Sequence, residues 1–500
     1  MINLFKHWVK MGFDKLGVEI RLKSSIQNID SPAQSNSIPI QPKSENNSGS
    51  NPADIDIDSI LALLAYGLFK LLSLPREESD RLLELIRFND PNGFSAPPNK
   101  ECNAETIASE VEIGNICFKQ GQFQETLAAY QQALGIWIQL VESGQLQEST
   151  RILQETLRTS IRESQCRPLD LLSVAVSLGI YSETGSVWEF AHQSKIQLHC
   201  QTNAYFNDFV SWLITTYRPP YETFKQGEGI LGSFNSERLD AINSAINNGS
   251  YYIFPDRLPA QLCDRLTNFA LTTPGIGYQQ QETLPELVLY NRDNPQVDGC
   301  YIPEQDALDN SDIQGLATDP YFLAVAQRHL GAQPILANVS MWWSSAIDQS
   351  PNSAMAQLYH FDMDWLKWTN FFIYLTDVTT DTGPHCYIAN THHRQAKPET
   401  LLARRYVRIA DRELQEYYPE EDFVEITGLR GTVIVGDTRC YHKAKPLKTG
   451  DRLMINITYA NTLWLGGSYK QPILKSDFYN ENLLTLAQTH PRIFSKFIKL

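Results

Sequence analysis

Residues 432–460 read TVIVGDTRCYHKAKPLKTGDRLMINITYA. Two runs in this stretch, TVIVGD and LMINITYA, are short, rich in β-branched residues and bounded by turn formers, as strands are. Two similar runs come earlier: ILANVSMWW from Ile335 and NFFIYLTDV from Asn370. Several such strands in one stretch predict a sandwich or barrel. Period-two alternation in the last run puts Arg452, Met454, Asn456 and Thr458 on one face and Leu453, Ile455, Ile457 and Tyr459 on the other. The first face has polar ends suited to a pocket. A guanidinium at Arg452 can clamp a carboxylate bidentately, and Thr458 can add a hydroxyl.

Five of the ten histidines fall between 360 and 442. In LYHFDMDW, an extended backbone projects His360 and Asp362 to one side and Phe361 to the other. Two ligands from one segment leave a metal half dressed. His442, between two predicted strands, is the best third candidate. Two histidines and one carboxylate on one face make the facial triad of non-haem iron(II) oxygenases, with positions left open for cosubstrate and dioxygen. Taken alone, a His–x–Asp pair is more often a surface hydrogen-bonded pair; the ordered set with His442 and Arg452 favours metal. Three further residues are substrate-binding candidates: His385 in GPHC, Trp365 and Lys367. Against them stand ordinary roles as loop hydrogen-bonder, core aromatic and surface lysine. His392 and His393 are expected to organise a turn.

These segments together resemble the phytanoyl-CoA dioxygenase family of iron(II)- and 2-oxoglutarate-dependent oxygenases. The resemblance rests on HFD, the distal YHKAKP with Arg452 ten residues after His442, TDVTTDTGPHCYIANTHHR, and the opening SYYIFPDRLPAQLCDRL. It covers roughly 236–470. It implies a double-stranded β-helix, or jelly roll, with iron held by His360, Asp362 and His442. It also implies 2-oxoglutarate chelating that iron while its far carboxylate pairs with Arg452, and hydroxylation of a small or lipid-like metabolite by dioxygen. The intact carboxylate at Asp362 speaks against a halogenase, where halide needs that position. Two departures stand out: Asn390-Thr391-His392 in place of the family's Gly-Ser-His, and Asn370 where a basic residue is expected.

At 500 residues the chain is long enough for two or more folded units. A net charge of −15 argues against a broad nucleic-acid-binding surface. Eight scattered cysteines without a CxxC pair read as reduced thiols in a cytoplasmic protein. Residues 1–23 predict a basic amphipathic helix that docks on this protein or a partner; contact with an anionic membrane surface is the less favoured alternative. Residues 24–53, rich in Ser, Asn, Gln and Pro, predict a flexible linker. Residues 54–165 predict a helical domain in which GQFQETLAAYQQAL, from Gly121, resembles the second helix of a tetratricopeptide repeat. That domain is a candidate surface for a protein partner. Residues 166–235 predict a helical connection, 236–475 the jelly-roll dioxygenase domain and 476–500 a helical tail. The expected class is thus α+β and multidomain: an all-helical, repeat-like domain followed by a double-stranded β-helix with flanking helices. The competing reading is a non-catalytic jelly-roll binding module on a repeat-type scaffold protein.

Overall fold

The computed structural model describes residues 103–119, isolated helical positions between 125 and 181, and residues 189–497 apart from 202, 280–281, 348–350, 352–354, 394–395 and 468–479. The expected helix 1–23, the linker 24–53 and most of the repeat-like stretch lie outside the described residues. The chain divides into two compact units, one of Met1–Tyr66 with Pro75–Gln145, the other of Gly67–Leu74 with Leu146–Leu500. In the first unit, helix Ala104–Lys119 buries Ile107 and Val111 one turn apart. The Asn103 side chain accepts a hydrogen bond from the Thr106 N–H at 2.8 Å. Ala129, Ala133 and Ile136, also helical, are buried at the spacing of a single helix face.

The second unit combines helices with antiparallel sheets. After helices Glu189–Gln201 and Tyr205–Tyr217 come the hairpin strands β1 (Gly227–Gly229) and β2 (Gly232–Phe234). The remaining strands are β3 (Tyr251–Ile253), β4 (Gly275–Gln279), β5 (Glu282–Val288), β6 (Gly299–Ile302), β7 (Ile335–Ser345), β8 (Trp368–Tyr374), β9 (His385–Ile388), β10 (Phe423–Ile426), β11 (Val433–Gly436), β12 (His442–Ala444) and β13 (Asp451–Ala460). One sheet has eight strands in the order β3-β11-β8-β13-β7-β6-β4-β5, and a smaller one runs β10-β9-β12.

The alternation expected of β13 holds. Leu453, Ile455, Ile457 and Tyr459 enter a core shared with helices Ser236–Gly249, Ala260–Thr272 and Pro320–Leu330. Met454 faces the other way, into a cluster of Phe372, Tyr374 and Ile434 from the large sheet with Tyr387 and Ile426 from the small one. The large sheet therefore has helices on one face and the small sheet on the other. With both faces covered, β8 is buried along its whole length, which is why WTNFFIY shows no polar alternation. Each large apolar side chain so buried contributes roughly 1.5–3 kcal/mol.

Strands β4 to β6 precede residue 335, after which the sequence predicts that strands dominate. Their signal is weak because β4 carries two glycines and β5 a proline. Proline is tolerated there because β5 is the edge strand. The charged insertion between β9 and β10 contains two short helices, Glu399–Leu402 and Asp411–Leu414. Between them an extended segment bridges Ile409 to Tyr359. In the tail, Glu481–Thr489 is helical. No described helix is long and apolar enough to cross a membrane, and Cys200, Cys263, Cys300, Cys386 and Cys440 are free.

Candidate metal centre

His360 and His442 meet through an antiparallel bridge. The His360 N–H donates to the His442 carbonyl at 3.0 Å, and the His442 N–H returns the bond at 2.8 Å. Their side chains therefore leave one face together, with ring centroids 4.3 Å apart. Asp362, two residues beyond His360, is fastened by its N–H to the Thr438 carbonyl at 2.9 Å. Its Oδ1 lies 3.6 Å from His360 Nε2 and its Oδ2 3.4 Å from His442 Nε2. One atom from each of the three residues lies within 4.8 Å of the other two, a spacing that lets a single ion touch all three. Phe361 turns to the opposite side, where it packs against His199 and Tyr441.

The protonation pattern suits a cation. His360 Nδ1 faces the Leu358 carbonyl at 2.9 Å, and His442 Nδ1 faces that of Cys440 at 3.0 Å. A carbonyl only accepts, so each Nδ1 carries the hydrogen and each Nε2 presents a lone pair. Burial keeps both imidazoles neutral, His360 well below the usual histidine range and His442 at about 4. Burial also lifts Asp362 to about 6, against the hydrogen bond from Thr438 that favours its charged form. A metal ion would reverse that lift.

Arg452 is almost wholly buried on the inner face of β13. Its Nη1 donates to the Gly383 carbonyl and its Nη2 to Ser344 Oγ at 3.4 Å, while Nε has no partner. Desolvation pulls its pKa below the ordinary arginine value. Among the described residues no carboxylate pairs with it. Gly383 has a φ of +75°, so a glycine is what aims that carbonyl at the guanidinium.

Thr458 lies deeper on the same face and bonds to Asn370 Oδ1 at 2.6 Å. His385 lies beside the cluster, its ring 5.6 Å from that of His442 and 4.3 Å from Phe372, with Nε2 buried and unpartnered. Trp365 packs instead with Trp368, Ile335 and Leu463. Lys367 lies near Asp437, Arg439 and Asp208, and burial lowers it to about 8. His392 Nδ1 is 2.7 Å from Ser250 Oγ.

Several residues that shape the site carried no sequence signal. Lys195, on helix Glu189–Gln201, donates to the carbonyls of Met363 and Asp364, the two residues after Asp362. Asn207 reaches the Leu366 carbonyl at 3.2 Å. Asp437 is fully buried against Arg439, which extends to Asp208 at 3.2 Å. Burial would raise Asp437, but Arg439 and His329 hold it well below the carboxylate range.

The family model for phytanoyl-CoA dioxygenase (PhyH) matches residues 301–454. This segment is a PhyH domain. It contains His360, Asp362, His442 and Arg452, and it excludes Lys195 and Asn207. No curated protein sequence matches the chain. Among solved structures, the non-heme alpha ketoglutarate dependent epimerase SnoN from nogalamycin biosynthesis is similar at 15% identity, over 45% of this chain and 84% of that one, with a TM-score of 0.35. The apoform of EctD from S. alaskensis is similar at 17% identity, over 49% and 83%, with a TM-score of 0.34. AviO1 from Streptomyces viridochromogenes Tue57 is similar at 15% identity, over 44% and 94%, with a TM-score of 0.30.

Proposed function

We propose that this protein is an iron(II)- and 2-oxoglutarate-dependent oxygenase that hydroxylates a small or lipid-like metabolite. The observation that carries the reading is one juxtaposition inside the PhyH domain: a His-Asp-His donor set with both imidazoles buried and, on β13, a buried guanidinium with no carboxylate of its own among the described residues. The donor set fits iron(II), since it offers two neutral imidazole nitrogens and one carboxylate oxygen on a single side. Arg452 fits a free carboxylate, because Ser344 and Gly383 fix the guanidinium while leaving Nε unpartnered. We further read the two sheets as the halves of a double-stranded β-helix, supported by the aromatic cluster they share.

Bound iron(II) and 2-oxoglutarate supply oxidative decarboxylation, giving succinate and carbon dioxide, coupled to hydroxylation of a substrate C–H bond by dioxygen. The chain's own residues bind, orient and shield. His360, Asp362 and His442 hold the metal, and Arg452 holds the distal carboxylate. Phe372, Tyr374, Tyr387 and Met454 exclude water around them. His385 faces the reacting groups with a free ring nitrogen. Thr458, read from sequence as a cosubstrate contact, donates its hydroxyl to Asn370 Oδ1.

Anaerobic titration with iron(II) and 2-oxoglutarate tests the reading. A visible charge-transfer band is expected in the wild-type chain. It is expected to vanish in the double variant Asp362→Ala, His442→Ala. No band in the wild type, or an unchanged band in the double variant, would refute the assignment.

A further inference from the structure

We propose that Arg408 recognises the primary substrate, and that this substrate is an organic anion bearing a carboxylate or phosphate. The inference rests on the oxygenase reading and adds the class of molecule to it.

The register of one bridge places Arg408. Tyr359 and Ile409 exchange both backbone hydrogen bonds, at 3.0 and 2.8 Å. The next pair along, His360 and Arg408, therefore stands directly opposite and shares a face. The alternation confirms it. Tyr359, Phe361 and Ile409 enter one apolar cluster, against which Val407 packs. Tyr406, Arg408 and His360 are left on the other side, the side of the metal ligands. The Tyr406 ring centroid is 6.2 Å from that of His360, and the Arg408 guanidinium carbon lies 5.4 Å from the Tyr406 ring centre.

Arg408 is poised but not satisfied. Its Nη1 is shielded from solvent and has no hydrogen-bond partner. Among the described residues it makes no ion pair, whereas Arg265, Arg292 and Arg439 each hold an aspartate. A hydrogen bond left unmade at a shielded charged group is unfavourable, and a ligand oxyanion would supply it.

The cosubstrate does not account for this group. Arg452 already provides for the distal carboxylate from the large sheet, while Arg408 approaches from the insertion on the side of His360. Two guanidinium groups on different elements, neither paired with a carboxylate among the described residues, call for two anions. The carbon body of the second has a flat surface available on the inner face of the large sheet. There Tyr301 and Trp342, both partly exposed, stack with centroids 5.7 Å apart and 8° between their planes.

The test titrates tryptophan fluorescence of the full chain, anaerobically, with octanoate, octyl phosphate and octanamide. Each titration is run with and without iron(II) plus 2-oxoglutarate. At least one anion is expected to bind saturably, with octanamide weaker by about tenfold or more. Arg408→Gln is expected to weaken the anion by about tenfold or more, and Arg408→Lys to recover much of that loss. Affinity for 2-oxoglutarate, read from the charge-transfer band, should change less than about twofold in either variant. Preference between octanoate and octyl phosphate identifies the oxyanion. Thermal unfolding of both variants verifies folding, and Arg408→Lys carries the test if Arg408→Gln does not fold. The proposal is overturned if neither anion binds, if octanamide binds equally well, if Arg408→Gln keeps wild-type anion affinity, or if its loss falls on 2-oxoglutarate. Anion binding through Arg408 without any charge-transfer band would refute the oxygenase reading and leave the anion site standing. A normal band without anion binding would do the reverse.

Discussion

Thr458 and Asp362 stand at the two ends of one buried hydrogen-bond relay. Thr458 Oγ1 donates to Asn370 Oδ1 at 2.6 Å, Asn370 Nδ2 donates to Thr438 Oγ1 at 2.7 Å, and the Thr438 carbonyl accepts the Asp362 N–H at 2.9 Å. The Trp368 indole N–H also donates to Thr438 Oγ1, at 2.9 Å. The relay thus fixes the amide orientation of Asn370 and ties it to the residue that anchors the Asp362 backbone.

Thr438→Val removes the last link of the relay. The expected result is a loss of about 10–100-fold in iron(II) affinity, by analogy with other outer-shell partners of metal ligands, and Thr438→Ser should restore most of it. Anaerobic metal titration of the two variants measures this directly.

Arg452 is held for binding at a cost to stability. Its guanidinium is buried without a countercharge, so Arg452→Met should stabilise the ligand-free chain by about 1–3 kcal/mol. The same variant should lose the charge-transfer response to 2-oxoglutarate while retaining metal affinity. Urea unfolding and metal titration on one preparation separate the two effects.

Lys195 sets a pH dependence. Burial lowers it from 10.5 to about 7. Between those values the unfolded chain binds the proton that the native chain has released, so native stability gains as pH rises through that window. Below about pH 7 the penalty of the buried charge is full. Lys195→Met lacks this term. The unfolding free energy of wild type minus variant should therefore climb from about pH 7 to about pH 10. A difference flat with pH would refute the assignment.

Gly383→Ala meets two obstacles. The φ of +75° disfavours a side chain, and a methyl group would press into Leu447 and the Lys445 carbonyl. A loss of about 2 kcal/mol or more is expected, with weakened 2-oxoglutarate binding because the carbonyl on Arg452 shifts. Thermal unfolding and the charge-transfer titration check each half.

Much of the site was legible in the chain because its chemistry is local and periodic. His360 and Asp362 share a side because an extended backbone repeats every two residues, and the same rule separates Arg452 and Thr458 from Leu453 and Tyr459. Residue type then selects the chemistry: imidazoles and a carboxylate hold metal, and a guanidinium takes an anion. Partnership across long sequence separations was not legible. Lys195 contacts residues 168 and 169 positions away, and Thr458 bonds Asn370 across 88. A lysine in a helix or an asparagine in a strand has no local pattern that says which distant backbone it will meet. Arg408 is the clearest case. Its place opposite His360 follows from a two-residue bridge inside a charged insertion, and only packing around Tyr359 and Ile409 sets that register, because burying those two side chains forces their neighbours onto the other side of the bridge, where the His360 ring lies.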